Sequence, residues 1–370
     1  MREQTVLILG GFGGAGKALA ELLLKEAKLR LLIGGRNPAK AEAFADELNA
    51  RHSGQRAEAR TLDANQSQSL LPVFLEARLV LVAAPLGESL LPVLRASQES
   101  GTDWIDLLFP PDIPRKFQAY EEEIREKERV VLTQGGFHPG FPAVLLHHAA
   151  TFFTSIERAV AGLAMNVRFP FSESLYELLD EITETRLVVF RDGIWSTPGW
   201  RDMRSFSFGP PAGTRKCYPM AMAEMQGLPE LYGLRETGVY AAGFNGFVDF
   251  LVLPLIFAAF SLRRGFGRKA LARLFCWGVN TFSPKQEWVV LRLEAEGEEN
   301  GKPKTMSLTL NHEDAYFLTV APVVGCVIQY LEGRIQPGLN MMAHAVDPSH
   351  LLKDLERMGI GLQIEVSFPG

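Results

Sequence analysis

The most informative residues for chemistry in this chain are ones without side chains. After the apolar run VLIL come Gly11, Gly13 and Gly16, spaced G-x-G-x-x-G and leading into the alanine- and leucine-rich run GKALAELLLK. Such a turn, set between a buried strand and a helix, suits a particular ligand. Gly11 permits the tight turn, Gly13 lets the backbone approach a pyrophosphate, and Gly16 lets the helix lie close to the strand. Phe12, Gly14 and Ala15 complete the loop. The helix N-terminus then offers its N–H groups and positive dipole end to the phosphates. The expected ligand is a dinucleotide.

The end of the second strand chooses between dinucleotides. A site for NAD usually places Asp or Glu there to hold the ribose hydroxyls, but the sequence reads Gly34-Gly35-Arg36-Asn37. Arg36 would pair with a 2′-phosphate and stack on the adenine, where a carboxylate would repel the phosphate. NADP is therefore the expected cofactor, with NAD less favoured. Asp63 closes the third strand and would reach the adenine amino group or cap a helix. Ala83, Ala84 and Pro85 close the fourth, where small residues let a cofactor pass over the sheet edge.

Hydride transfer mainly needs positioning, with the cofactor supplying the reactive atom. Asp106, in WIDLL, sits near the carboxyl end of the fifth strand, either orienting a substrate amine or buried and paired with backbone. His138 precedes Pro139-Gly140 after the sixth strand, a place for a general acid near neutral pH or for a plain turn residue. Arg168, Arg191, Tyr218 and His312 are further candidates for a cleft between domains, with structural or surface roles as the alternative. His147 and His148 are adjacent and face different sides of a helix, so no metal site is expected. The chain has no Tyr-x-x-x-Lys, G-x-S-x-G or H-E-x-x-H, which removes support from short-chain dehydrogenase, hydrolase and metalloprotease readings.

These residues need a scaffold, and the chain supplies one. To about residue 150, the runs 5–9, 29–34, 57–63, 78–84, 104–108 and 129–134 alternate with helical stretches such as Ala39–Ala50 and Asp112–Lys127. That pattern predicts an α/β fold, a doubly wound parallel sheet covered by helices. The EEEIREKE run reads as a wet helix face. Beyond Phe153, runs such as ERAVAGLAMNVRF, TRLVVFRDGIW and EWVVLRLEAEG mix charge with β-branched residues, as in a largely antiparallel sheet. A hairpin turn is expected near Asn300-Gly301. The segment from Pro322 onward reads as helical, with Ser349 as a candidate cap for PSHLLKDLERMGI. Expected domains are 1–140, a dinucleotide-binding Rossmann domain; 141–321, an α+β substrate and dimerisation domain; and 322–370, helical.

Composition bounds the rest. At 370 residues two domains are expected. A net charge of −5 argues against a nucleic-acid partner. Three widely spaced cysteines suit a reducing cytosol rather than a disulfide framework. The start of the chain runs directly into a strand without a leader, so a cytoplasmic protein is expected. The apolar run Phe247–Leu262 is shorter than the roughly 20 residues a membrane span needs. It reads as a buried helix or subunit contact, or, with the basic residues that extend it to 268, as a peripheral membrane contact.

Together these segments resemble a family. LGGFGGAGKALAELLL, IGGRNPAKAEAFADEL, LVLVAAPLGESLLPVLRASQESGTDWIDL and GGFHPGFPAVLLHHAA are similar to blocks of the saccharopine dehydrogenase (saccharopine reductase-like) family, and VVFRDGIW, YPMAMAE and LTVAPVVGCVIQYLEGRIQPGL fit its later ones. The resemblance covers nearly the whole chain. It implies an N-terminal Rossmann domain, a catalytic and dimerising α+β domain, and a C-terminal segment returning to the first. It also implies a homodimer and NAD(P)-dependent chemistry at a C–N bond, or at another unsaturated bond, of a small-molecule substrate. His138 stands where the family turn commonly carries Asp. The alternative is a non-catalytic NAD(P)-binding or membrane-associated protein that has lost that activity.

Overall fold

The structure, a computed structural model, describes residues 4–169, 171, 173–184, 188–197 and 202–369. Residues 185–187 of the TRLVVFRDGIW run lie outside them. The chain forms two compact units, Met1–Val144 with Tyr316–Met358, and Leu145–Ala315 with Gly359–Gly370.

In chain order the first unit holds β1 (Thr5–Leu9), β2 (Arg30–Gly35), β3 (Ala57–Thr61), β4 (Leu79–Val82), β5 (Asp103–Asp106) and β6 (Val130–Thr133). The second holds β7 (Ser155–Asn166), β8 (Val189–Arg191), β9 (Ile194–Ser196), β10 (Arg204–Ser207), β11 (Thr214–Met220), β12 (Glu236–Ala242), β13 (Trp288–Glu299) and β14 (Lys302–His312). Two further strands follow, β15 (Gly338–Met341) in the first unit and β16 (Gly361–Ser367) in the second.

The first sheet is parallel, in the order β15-β6-β5-β4-β1-β2-β3. Strand direction of winding reverses between β1 and β4, which are paired neighbours. Open α/β sheets bind ligands beyond the carboxyl ends of the strands at such a reversal. The glycine turn follows β1, and Ala83-Ala84-Pro85 follows β4. β1 and β4 are buried along their whole length, as a parallel sheet covered on both faces requires. Leu7, Leu32, Phe74, Val80, Leu94 and Trp104 belong to one continuous core in this unit.

The returning segment is tied to this unit by polar contacts. From the helix Ala315–Leu331, Tyr330 receives a hydrogen bond from Arg78 Nε (2.9 Å) and donates one to Asp103 Oδ2 (2.5 Å). Gln329 exchanges two hydrogen bonds with the backbone of Asp347. Arg357, in the helix Pro348–Met358, pairs with Glu26 at the end of the first helix.

Three expectations for this region need correction. The helix starts at Ala315 rather than 322, and its end leads into β15, an edge strand paired with β6. The last helix is capped by Asp347, whose Oδ1 accepts from His350 N (2.8 Å), and not by Ser349. The whole of 322–370 does not stay with the first unit, because after Gly359 (φ +104°) the chain turns and β16 pairs antiparallel with β14.

In the second unit a nine-stranded mixed sheet runs β10-β11-β12-β7-β13-β14-β16, with β8 attached at β12 and β9 at β8. Among the described residues of this sheet, only β7 and β12 pair in parallel. The turn between β13 and β14 is Asn300-Gly301, both with positive φ (54° and 75°), the conformation a two-residue hairpin demands. The Glu-rich run is indeed solvated, with Arg125–Glu122 and Lys127–Glu123 pairs on an exposed face. The single expected helix 112–127 is split into Ile113–Phe117 and Glu121–Glu126 by a tighter turn at Gln118–Tyr120.

Candidate dinucleotide site

The turn after β1 is held by backbone alone. Gly10 N and Gly11 N both donate to Gly34 O of β2 (3.0 and 3.1 Å), Gly13 N donates to Gly10 O (3.0 Å), and Lys17 N to Gly13 O (2.8 Å) opens the helix Gly14–Glu26. The chain therefore reverses within a few residues, and the left-handed residue is Gly10 (φ +84°). This corrects the assignment of the tight turn to Gly11, which sits one step later and is crowded by Ile33 instead. A Cβ at Gly10 would also lie 2.6 Å from Ala84 Cβ, which explains the small residue at the end of β4. The role expected of Gly16 holds: a Cβ there would come 2.2 Å from Gly10 O. The first helical turn thus presents its backbone N–H groups where Gly14 and Gly16 leave no room for a side chain.

Two aromatic rings close in on this turn. Phe12 lies across Gly35, where a Cβ would sit 2.1 Å from its ring, and so fixes the loop against the end of β2. Tyr316, the second residue of its helix, lies over Gly14, with a Cβ there only 2.7 Å from its ring. Sequence reasoning missed Tyr316 because that helix was expected to begin later.

Arg36 follows β2, is exposed, and makes no ion pair among the described residues. Asn37 caps the next helix, accepting from Lys40 N (3.0 Å), which fixes the backbone next to Arg36. Asp63 Oδ1 accepts from Asn65 N (3.1 Å) and Asn65 Nδ2 (3.2 Å), and Asn65 Oδ1 in turn accepts from Ser89 Oγ (2.6 Å). Asp63 thus shapes a turn and links the ends of β3 and β4. Ala83 N donates to Leu9 O (2.9 Å), extending the β1–β4 ladder by one residue. Pro85 is exposed beyond it.

Asp106 has different surroundings from those a substrate-contacting group would need. It is fully buried, and its carboxylate accepts from Trp104 Nε1 (2.7 Å), Leu108 N, Thr133 Oγ1 and Gln134 N (each 3.0 Å). Burial pushes its pKa up to about 6 against the pull of those four donors, so it remains ionised at neutral pH. The structure makes it a strut between the ends of β5 and β6. Gln134, which it holds, takes a left-handed conformation (φ 56°), and its Nε2 donates to Pro110 O (3.2 Å) while Oε1 is buried without a partner. A residue with positive φ at the carboxyl end of β6, two strands from β4, is a functional-site signal that sequence alone does not carry.

His138 sits edge-on to Phe109 and Phe137, with ring centroids 5.6 and 5.4 Å away. The residue reaches the surface in part, but Nδ1 is buried without a partner. Burial pushes its pKa down to about 4. At neutral pH the ring is uncharged, which corrects the expectation of a proton donor near pH 7. The linkage follows in sign. The native state holds the neutral ring while the unfolded chain protonates near pH 6.5, so His138 contributes stability that is present above pH 6.5 and lost as pH falls towards 4. The difference in melting temperature between the parent and a His138→Gln variant should therefore shift in the parent's favour as pH rises from 4 to 6.5. Thermal denaturation across that range checks this, and parallel curves would contradict it.

The other candidates are engaged within the second unit. Arg191 pairs with Asp202 (3.2 Å) and Glu236 (3.4 Å), Arg168 lies 3.9 Å from Glu287, and His312 Nδ1 accepts from Asp314 N (2.9 Å). His147 and His148 diverge as expected, the first bonded to Tyr232 OH (2.6 Å) and the second stacked edge-on against Phe152. A groove of about 800 Å³ lies at the other end of the first sheet, beside Lys28 and Arg30 at the start of β2. Its arginines are already committed: Arg30 to Glu58, Arg51 to Glu21 and Glu47, and Arg56 to the last carbonyls of the first helix.

Comparison with known proteins agrees with this geometry. Residues 6–132 match the family model of the saccharopine dehydrogenase NADP binding domain. No curated protein sequence matches the chain. Among solved structures, apo saccharopine dehydrogenase (L-Glu forming) from Saccharomyces cerevisiae is similar with a TM-score of 0.74 and 15% identity, over 98% of this chain and 100% of that one. The DAP dehydrogenase of C. glutamicum in complex with DAP is similar with a TM-score of 0.51 and 13% identity, over 97% and 100% of the two chains. At these identities the likeness is one of fold. Residues 6–132 thus match an NADP-binding domain of the saccharopine dehydrogenase type, and over nearly its whole length the chain shares a fold with saccharopine dehydrogenase.

Proposed function

We propose that the chain transfers a hydride between NADPH and the C–N bond of an imine or amine, or a related unsaturated bond, in a small-molecule substrate. The observation that carries this reading is the backbone-only turn between β1 and the first helix, at the reversal of the sheet and followed by Arg36 rather than an acid. Its N–H groups suit a diphosphate, and the guanidinium of Arg36 suits a 2′-phosphate. The C–N assignment is supported by the two neighbours, one named for forming L-Glu and the other bound to DAP.

The nicotinamide supplies the hydride when bound, and the chain's own residues orient it and the substrate. His138, uncharged at neutral pH and with Nδ1 buried, donates no proton in this reading. Asp106 acts through Gln134 and Thr133, whose positions it fixes. A homodimer and a cytosolic setting complete the reading, the first from the family resemblance and the second from the three isolated cysteines.

The test is NADPH oxidation with pairs of keto acids and amines, followed by unsaturated carbonyl compounds. Turnover with a keto acid–amine pair is expected. NADPH uptake without turnover of any compound in the panel would instead favour a non-catalytic binding protein.

A further inference from the structure

The second unit carries a helical hairpin, Leu253–Leu262 and Arg268–Phe282, entered through a π-helical turn at Val248–Val252. Its inner side packs well: Val252, Ile256, Leu271 and Phe275 form a core with Leu175 and Leu179 of the helix Glu173–Glu184. Arg268 pairs with Asp180 of that same helix. The outer side is equally apolar and uncovered. Phe250 is 80% exposed, Leu262 82%, Phe266 57% and Trp277 52%, with Leu251 and Leu255 between them. Apolar surface gathered in this way on a soluble unit marks an interaction site.

Charge selects the partner. Residues 250–282 contain Arg263, Arg264, Arg268, Lys269 and Arg273, and no Asp or Glu. At the hairpin tip, Leu262-Arg263-Arg264-Gly265-Phe266 sets exposed apolar and basic side chains next to each other. A second copy of this chain meeting the hairpin face to face would gather the basic residues of both hairpins in one contact with no hairpin acid to offset them, since a two-fold contact uses the same patch twice. An anionic lipid surface offers both what the leucines and phenylalanines need and what the arginines need. No helix among the described residues is long and apolar enough to cross a membrane, so the hairpin would lie in the interface plane. Trp277, edge-on to Phe247 and Phe282, has the ring chemistry favoured at that depth.

We propose that the hairpin 250–282 seats in the surface of an anionic phospholipid bilayer, with its exposed Phe and Leu side chains in the acyl boundary and Arg263, Arg264 and Lys269 at the phosphates. The test uses the full chain and sedimentation with vesicles of phosphatidylcholine alone or mixed with phosphatidylglycerol. Binding is expected only to the mixed vesicles, weakened by salt, and accompanied by a blue shift in tryptophan emission that Trp277→Phe removes. Leu262→Ser/Phe266→Ser and Arg263→Glu/Arg264→Glu variants, all at exposed positions, should each lower partitioning at least about tenfold while keeping the parent's circular dichroism and NADPH uptake. Full recovery in the supernatant would overturn the proposal, as would binding that neither variant weakens. Light scattering that showed self-association without lipid, lost in the Leu262→Ser/Phe266→Ser variant, would assign the face to a second copy instead.

Discussion

Gly16→Ala is expected to abolish useful NADPH binding and to lower the stability of the first unit together. The added methyl group would stand 2.2 Å from Gly10 O and 2.9 Å from the Gly11 backbone, and neither neighbour is a flexible side chain that could swing aside. The helix start must therefore shift away from β1. Overpacking of this kind costs about 1–3 kcal/mol. The same shift takes the first-turn N–H groups out of reach of the diphosphate, and the loss of one or two charge-assisted hydrogen bonds corresponds to about a hundredfold in affinity. Denaturation and calorimetric titration of the one variant read both effects. A variant that was destabilised but bound NADPH like the parent would show that the turn serves packing alone.

Arg36→Glu should separate the two coenzymes. A carboxylate at the end of β2 would face the 2′-phosphate of NADPH with like charge while offering acceptors to the ribose hydroxyls of NADH. Affinity for NADPH is expected to fall about a hundredfold, the worth of charge-assisted hydrogen bonds to one phosphate, with NADH unchanged or improved. Because Arg36 is exposed and Asn37 holds the following helix independently, the melting temperature should stay close to that of the parent. Equal losses for both coenzymes would remove Arg36 from the site.

Much of this site was legible because it depends on local rules. Gly16 could be assigned from spacing, since a helix that begins five residues after a strand must pass close to the strand's own end. The buried runs of β1 and β4 needed no partner to be recognised, as strands covered on both faces are apolar throughout. Gly10 was misread in favour of Gly11 because the motif fixes the spacing of the glycines and not the residue at which φ turns positive. Tyr316 and Gln134 could not have been found: the first meets Gly14 across some three hundred residues of chain, and the second combines a positive φ with a backbone hydrogen bond to Asp106 on a neighbouring strand. β16 did leave a signal, the alternation of Leu362, Ile364 and Val366, which the preceding amphipathic helix obscured. The reading of 247–262 as a buried helix was half right, because only the Val248, Val252 and Ile256 side is covered.

Asp106 and His138 show how residue type points to a region while packing chooses among the roles it leaves open: Asp106 takes the buried, backbone-paired role, and His138 is not charged as a general acid near neutral pH would be. Asp106 ends β5, one strand out from β4, and His138 follows β6, two strands out, both on the carboxyl side of the sheet where ligands bind. Burial decides what each does there: four internal donors occupy the carboxylate, and aromatic enclosure keeps the imidazole neutral. Sequence supplies the residue and its strand, but not the packing that sets its charge.

The account rests on a diphosphate held by the amides that follow Gly13. Calorimetric titration of the folded, coenzyme-free chain with NADPH and, separately, with NADH tests it most directly. One NADPH per chain is predicted, with NADH bound more weakly and Gly16→Ala giving no measurable heat. The absence of heat with NADPH, from protein whose circular dichroism shows it folded, would contradict it.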